Sequence, residues 1–307
     1  MSFDFRKVRY FVAVYEEGSI SRAAERERVV QPAVSIQIKQ LESEFSARLF
    51  DRASHGMEPT PAGDYFYQLC KRLIHDLDST RQQMLDLGGQ IAGAVRLGVM
   101  PSICRGPLAT ILMEYAAAYP RVEVTIVEAT SGHLAEAVTA GSLDAAICNQ
   151  PASLPELRLR LLVRDPVMLV SGKASQFVPS RPCRLADLQN LKLVLPTVGN
   201  TIRRQLDAHM RRESVRPNRV MHIDGLGATL EFIDRSDWVT ILPSIALQNN
   251  TDLQRFVTNP IVDPQVTSDI YEMHLPHRPL TKPAHELVRM IEGALTVPNT
   301  LQMYNKK

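Results

Sequence analysis

Apolar residues Phe5, Val8, Phe11, Val12 and Tyr15 recur at the three-four spacing of an amphipathic helix, and Glu17-Gly18 supplies its stop. Ser19 or Ser21 can cap a short second helix from Ser21 to about Arg26, where Ala23 and Ala24 are small enough for close packing. After a turn over Glu27 to Val30, a third helix opens at Gln31-Pro32 and runs to about Phe45 or Leu49, because proline in a first turn loses no intrahelical hydrogen bond. Helical periodicity puts Val34, Ile38, Leu41 and Phe45 on one stripe, predicted to face a core, and turns Pro32, Ser35, Ile36, Lys39 and Ser43 outward. Leu49-Phe50-Asp51-Arg52 and Met57-Glu58-Pro59-Thr60 flank Ser54-His55-Gly56, the pattern of a two-stranded hairpin.

Thr60 can cap, and Pro61 start, a long helix running to about Leu87, with Gly88-Gly89 as its stop. Phe66, Leu69, Leu73, Leu77, Thr80, Met84 and Leu87 form a stripe close to a heptad seam, which suits either a second copy of the chain or its own C-terminal domain. From Gly93 the pattern changes to short β-branched runs: Ala94 to Val99, Val122 to Glu128, Leu143 to Ile147, Val167 to Ser171, Lys192 to Leu195, Val220 to Ile223 and Val239 to Leu242. Their alternation with helical stretches predicts an α/β domain with mainly parallel sheets. Two chain crossings are expected, near Leu161 to Asp165 and near Ser268 to Met273, where the strand-helix series restarts and then finishes.

Composition narrows the class. A length of 307 residues favours two or three compact units. Apolar content of 45% and charged content of 22% are ordinary for a globular chain, and no apolar run approaches the roughly 18 residues needed to span a bilayer. The segment MSFDFRKVRY carries charge where an export signal needs its apolar stretch, so a cytoplasmic protein with no membrane partner is expected. Cys70, Cys104, Cys148 and Cys183 stand singly, which favours structural thiols over disulfides or metal; no metal site and no cofactor are expected. The net charge is only +2. Even the first 60 residues balance Arg6, Lys7, Arg9, Arg22, Arg26, Arg28, Lys39, Arg48 and Arg52 against as many carboxylates, so bulk charge does not reveal a nucleic-acid binder.

Placement of side chains says more. Two short helices before a longer one with a short-chain polar outer face match a helix-turn-helix, whose recognition helix enters the major groove by its N-terminal residues. In that setting Gln31 can pair with adenine edges, Ser35 can reach a base or a phosphate, and Lys39 can neutralise phosphate, while Arg52 and His55 sit where a wing meets the backbone. An ordinary solvated helix face and a solvated hairpin tip are the competing readings.

The run Arg9-Tyr10-Phe11-Val12-Ala13-Val14, then Gly18 to Glu25, Gln31-Pro32-Ala33-Val34-Ser35, Gln40-Leu41-Glu42, Leu49-Phe50-Asp51-Arg52 and Thr60-Pro61-Ala62-Gly63 resembles the LysR-type transcriptional regulators, and the likeness extends more loosely to about residue 295. The resemblance implies a multidomain chain. Residues 1–60 would be an all-α winged helix-turn-helix, 61–90 a linker and dimerisation helix, and 91–298 a two-lobed α/β domain of the periplasmic-binding-protein fold. Lobe I would take about 91–163 and 270–298, and lobe II about 164–269. It also implies a homodimer or homotetramer on double-stranded DNA, reading half-sites roughly 34–36 Å apart, an effector in the inter-lobe cleft, and RNA polymerase as a partner. DNA contacts would come from Gln31, Pro32, Ser35, Ile36, Lys39, Arg52 and His55.

In such sheets small molecules bind beyond the carboxyl ends of strands, near helix N-termini. Those positions hold Ser102 and Ile103, Thr130, Asn149, Thr197, Asn200, Thr201 and Leu226, and their hydroxyls and amides suggest a small carboxylate or similar oxyanion. Taken singly, each Ser or Thr is equally a helix cap.

Four departures from the family pattern stand out. Val30 replaces a capping Ser or Thr, a loss of roughly 0.5–2 kcal/mol. Glu27 stands where an apolar residue is common, and either snorkels or pairs with Arg26 or Arg28. Ile36 stands in place of an arginine, as a thymine-methyl contact or as a tolerated surface substitution. Trp238, in Ser236-Asp237-Trp238-Val239, replaces a glycine and either lines the cleft or, the favoured reading, fills the lobe interior.

Two other classes find little support. An enzyme would need a phosphate-binding glycine loop, a nucleophile elbow or a metal pair, and His274 and His277, on either side of Pro276, have no helical metal geometry, so the chain is read as not an enzyme. An exported solute-binding protein would need a signal that this N-terminus does not supply.

Overall fold

A computed structural model describes residues 4–53, 56–86, 91–151, 156–173, 175, 177–248 and 255–295. The chain forms two compact units, one of Met1–Leu87 with Ala140–Ser142 and a second of Gly88–Thr139 and Leu143–Lys307.

In the first unit, α1 (Phe5–Glu17) begins where the Asp4 carboxylate accepts the Arg6 N–H and ends at Gly18, whose positive φ of 58° turns the chain left-handed. Ser19, rather than Ser21, caps α2 (Ile20–Glu27). The third helix, α3 (Gln31–Phe45), has no side-chain cap, as Val30 requires. Val34, Ile38 and Leu41 are buried beneath it as expected. Phe45 is not: it is 41% exposed, because the helix ends at Ser46 in the left-handed region and its last turn overhangs the core, leaving the ring edge-on to Phe66 at 5.0 Å. Phe11 anchors this core, its ring 5.2 Å from that of Phe50 and 4.7 Å from that of Phe66.

Two strands, β1 (Phe50–Ala53) and β2 (Gly56–Pro59), pair antiparallel from Phe50 opposite Pro59 to Ala53 opposite Gly56. The hairpin docks on the α1–α2 turn through Met57 N–H to Gly18 carbonyl, 2.9 Å, and a Cβ on Gly56 would collide with that same carbonyl. His55 lies outside the described residues. Thr60 caps α4 (Pro61–Asp86): its hydroxyl accepts the Gly63 N–H at 3.1 Å and donates to the Arg48 carbonyl at 2.6 Å. Gly63 packs so tightly on the Leu49 carbonyl that no side chain fits, which gives the Thr-Pro-Ala-Gly signature its physical reason. Along α4, Phe66 and Cys70 join the core, whereas Leu73, Leu77 and Met84 are exposed. Leu87 and the Gly88-Gly89 stop lie outside the described residues.

The second unit continues with β3 (Gly93–Val99), α5 (Pro101–Arg105), α6 (Leu108–Ala118), β4 (Val122–Glu128), α7 (Ser131–Thr139), β5 (Ala145–Asn149) and β6 (Arg158–Gly172). There follow β7 (Cys183–Arg184), β8 (Lys192–Leu195), α8 (Thr201–Arg212), β9 (Arg219–His222), α9 (Leu226–Asp234) and β10 (Val239–Pro243). After the 3-10 turn Ser244–Leu247 come β11 (Phe256–Asp263), β12 (Thr267–His274) and α10 (Lys282–Ala294). Strands order as β4-β3-β5-β12-β6-β10-β8-β9, with β11 also on β6.

The sheet is mixed, not mainly parallel. Parallel pairs β3–β4, β3–β5, β8–β9 and β8–β10 flank antiparallel pairs made by β6 and β12. As a strand the sequence showed only the Val167 to Ser171 part of β6, because its first half alternates charged and apolar residues; Leu161–Asp165 and Ser268–Met273, expected as chain crossings, are paired strand in β6 and β12, and β11 was missed. The third predicted strand starts at Ala145 rather than Leu143. Residues 158–166 of β6 pair with β12, while 167–171 pair with β10, so the strand passes from one lobe to the other next to Asp165. Separate apolar cores lie on either side, one around Val99, Ile103 and Ile147, another around Leu169, Leu193 and Leu206.

Candidate functional site

On α3 the side chains of Gln31, Pro32 and Lys39 are exposed, Ile36 is 53% exposed and Ser35 is half-buried, so all five share an open face opposite Val34, Ile38 and Leu41. Among the described residues no hydrogen bond or ion pair occupies the side chains of Gln31, Ser35 or Lys39.

The balanced charge of this unit resolves once partners are traced. Arg6 pairs with Asp4, Lys7 with Glu44, Arg9 with Glu27, Arg22 with Glu17, Arg26 with Glu16 and Glu17, and Arg48 with Asp51. Within the first 60 residues, the cations left without a carboxylate among the described residues are Arg28 in the turn before α3, Lys39 on α3 and Arg52 in the hairpin. Five of the six paired cations bond through a residue of α1, whereas the three unpaired ones lie in the turn before α3, on α3 and in the hairpin that follows it. Arg28 was not among the expected contacts; its left-handed backbone at the α2 C-cap, φ 56°, offered no sequence signal because the residue is not glycine or asparagine. The expectation that Glu27 pairs with Arg26 or Arg28 is corrected: its carboxylate goes to Arg9, 2.7 Å away.

Sequence reasoning also missed Glu42, whose Oε1 accepts the Leu49 and Phe50 N–H groups at 2.9 and 3.3 Å, tying the end of α3 to the start of β1. That carboxylate fixes the hairpin, and with it Arg52, relative to α3.

In the second unit the strand-end residues divide. Ser102 opens α5 with its hydroxyl buried and without a hydrogen-bond partner among the described residues. Ile103, by contrast, has no exposed surface and packs in the lobe I core with its N–H on the Met100 carbonyl, so it makes no side-chain contact with a ligand. Thr130 is exposed, its hydroxyl 2.8 Å from His133 Nδ1. Asn149 is committed elsewhere: its amide donates to Ser268 Oγ and the Asp269 carbonyl, both at 2.8 Å.

On the far lobe both donors of Thr197, N–H and hydroxyl, go to the Asp224 carboxylate. Asn200 caps α8 through Ile202 and Arg203, and the Thr201 hydroxyl accepts from Arg204. Leu226 begins α9 half-buried. Arg203, bonded to the Pro196 carbonyl and 2.9 Å from His222 Nδ1, joins these strand ends; the sequence left it as an unremarked helix residue.

Trp238 fills the interior of its lobe, edge-on to Phe232 at 5.7 Å with Arg219 over its ring at 5.5 Å. The cysteines are free; burial pushes the thiols of Cys70, Cys104 and Cys148 up to about 12 and that of Cys183 up to about 11, which suppresses thiolate chemistry. Among the described residues no helix is long and apolar enough to cross a membrane.

Comparison with known proteins accounts for both units. Residues 5–64 match the description "Bacterial regulatory helix-turn-helix protein, lysR family", and residues 88–296 match "LysR substrate binding domain". The transcriptional regulator BenM of Acinetobacter baylyi is 27% identical over 280 residues, covering 87% of this chain and 88% of BenM. YfeR of Shigella flexneri, an uncharacterised regulator, is 27% identical over 247 residues, 80% of each chain. Full-length OxyR from Pseudomonas aeruginosa shares the fold with a TM-score of 0.73 at 18% identity, covering 98% of this chain and 97% of that one. CbnR in complex with its target DNA does so with a TM-score of 0.66 at 20% identity, covering 95% and 100%. The chain belongs to the LysR family of DNA-binding transcriptional regulators, which are not enzymes, with a helix-turn-helix unit followed by an effector-binding domain.

Proposed function

We propose that the regulator works as a homodimer or homotetramer which reads a promoter site through Gln31, Ser35 and Ile36, with Pro32 against the groove wall and Arg28, Lys39 and Arg52 on backbone phosphates. The observation that carries this reading is the residual charge: of the nine cations in the first 60 residues, these three have no carboxylate partner among the described residues, while the other six do. Phosphate contacts set register and base contacts set sequence preference. A small carboxylate or similar oxyanion in the inter-lobe cleft, held by Ser102 and Thr130 from one side and by the Thr197–Thr201 segment from the other, shifts the population of lobe arrangements. Through the dimer this alters half-site spacing, DNA bend and access for RNA polymerase.

Mobility shift on DNA from the region upstream of the regulator's own gene tests the reading. Gln31→Ala and Ser35→Ala should lower specific more than non-specific binding. Lys39→Ala and Arg52→Ala should lower both, each reducing the salt slope by about one. No preference of the purified protein over random duplex would sink the reading.

An exposed apolar face of Leu73, Leu77 and Met84 on α4 supports self-association.

A further inference from the structure

Asp165 is only 2% exposed and sits on β6 where that strand leaves one lobe for the other. Its carboxylate accepts the Ser244 hydroxyl on Oδ1 at 2.5 Å and the Ile245 N–H on Oδ2 at 3.0 Å. The turn it holds, Ser244–Leu247, belongs to both lobes: Ile245 packs into the core containing Val99 and Ile103, and Leu247 into the one containing Trp238. The same turn touches α5 closely enough that a Cβ on Gly106 would strike the Ile245 carbonyl, and α5 carries Ser102. One buried carboxylate therefore connects the crossing strand, both cores and the helix at the rim of the cleft.

No cation offsets it. Arg164 on its own strand points to Asp269 of β12, 3.7 Å away, and Asp269 in turn accepts from the Thr267 hydroxyl. Other charged or titratable groups on the elements packed here are Arg105 of α5, Arg158 and Arg160 farther along β6, and Glu272 and His274 of β12; Arg160 and His274 are bound to Glu272, and none of these groups pairs with Asp165 among the described residues. Burial pushes this carboxyl up to about 6, against the lowering effect of its two hydrogen bonds. When protonated, the acid donates to Ser244 Oγ and still accepts from Ile245, so the latch keeps both bonds and loses the buried charge.

We propose that Asp165 is a positioning residue for the effector response, a proton-sensitive latch that tightens the hinge between the lobes when protonated and loosens it when ionised. The proposal rests on the two-lobed effector reading but not on the identity of any effector. Opening the hinge hydrates the ionised carboxylate, so opening becomes up to about tenfold easier for each pH unit between roughly 4 and 6, and then levels off.

Hydrogen exchange across residues 240–248 of the full chain, corrected for intrinsic base catalysis and followed from pH 5 to 7.5, tests this directly. Protection should fall as pH rises to about 6.5 and then stay level. Asp165→Asn, which keeps the geometry but not the titration, should give flat protection. Ser244→Ala removes a bond that favours the ionised form, and should move the midpoint upward; it decides the matter if the asparagine variant does not fold. Flat protection in the wild type, or the same fall in Asp165→Asn, would overturn the latch. A panel of small carboxylates that leaves the small-angle scattering curve unchanged would instead sink the effector reading and leave the latch standing.

Discussion

The guanidinium of Arg9 on α1 ends 2.7 Å from the carboxylate of Glu27 on α2, and only about a tenth of that glutamate side chain meets solvent. An ion pair thus occupies a place where the family commonly has an apolar residue, with the arginine end half in water. Arg9→Ala strands the carboxylate and should cost about 1–2 kcal/mol in urea denaturation. Arg9→Ala combined with Glu27→Leu should recover most of that loss, because burial replaces the pair; failure of the double variant to recover would show that Glu27 holds α2 by other means.

Val30 leaves the first amides of α3 without a side-chain acceptor. Pro32 has no N–H to offer, so a hydroxyl at position 30 has the Ala33 amide as its target. Val30→Ser should stabilise the unit by about 0.5–1 kcal/mol, read as a raised denaturation midpoint at unchanged slope.

Ile36 stands on the open face of α3 where an arginine would add one phosphate contact. Ile36→Arg should tighten binding to random duplex and steepen the salt dependence by about one unit of log–log slope. Thermal stability should stay within about 0.5 kcal/mol, since the side chain is already more than half exposed. Ile36→Ala should weaken thymine-containing sites selectively if the side chain touches methyl groups in the groove.

Leu73 and Leu77 lie one helical turn apart on the exposed side of α4. Their joint replacement by glutamate places like charges in any seam formed with a second copy. Sedimentation velocity should then show monomer at concentrations where the wild type is dimeric, with binding to a two-half-site duplex reduced far more than binding to one half-site. An unchanged sedimentation coefficient would exclude α4 from the interface.

The helical unit was largely legible in the sequence because each element carries its own punctuation. Gly18, Ser19, Pro32 and Thr60 are local signals, and the local periodicity of α3 fixed its buried face except at Phe45, where the helix outruns the core. The second unit was less so. A strand shared by two lobes, such as β6, is half polar and half apolar and has no single period, and β12 alternates half-buried with buried positions without a distinctive pattern. Site residues were legible only as positions at strand ends. Whether a polar group there is free depends on distant partners: Asn149 goes to Ser268 and Asp269, Thr197 to Asp224, and no local rule announces either. The three unpaired cations likewise emerge only when the other six find their carboxylates in space.

Two buried carboxylates on adjacent strands should respond to pH with opposite sign. Glu272 on β12 is held below its ordinary range, first by the hydrogen bond from His274 and then, against its burial, by Arg160, which also bonds Glu292 of α10. Its folded-state affinity for a proton is weaker than in the unfolded chain. Its contribution is therefore present above the ordinary glutamate range and lost as pH falls through and below it. Asp165 is shifted upward, so the folded state binds its proton more tightly and stability falls as pH rises from roughly 4 to 6, by up to about 1.4 kcal/mol per unit. Subtracting the pH–stability curve of each variant from that of the wild type isolates the two effects. The wild type should lose ground to Asp165→Asn as pH rises from about 4 to 6, and to Glu272→Gln as pH falls below about 4.5. A difference curve for Asp165→Asn that is flat, or that slopes the other way, would mean the carboxylate is hydrated in the folded hinge.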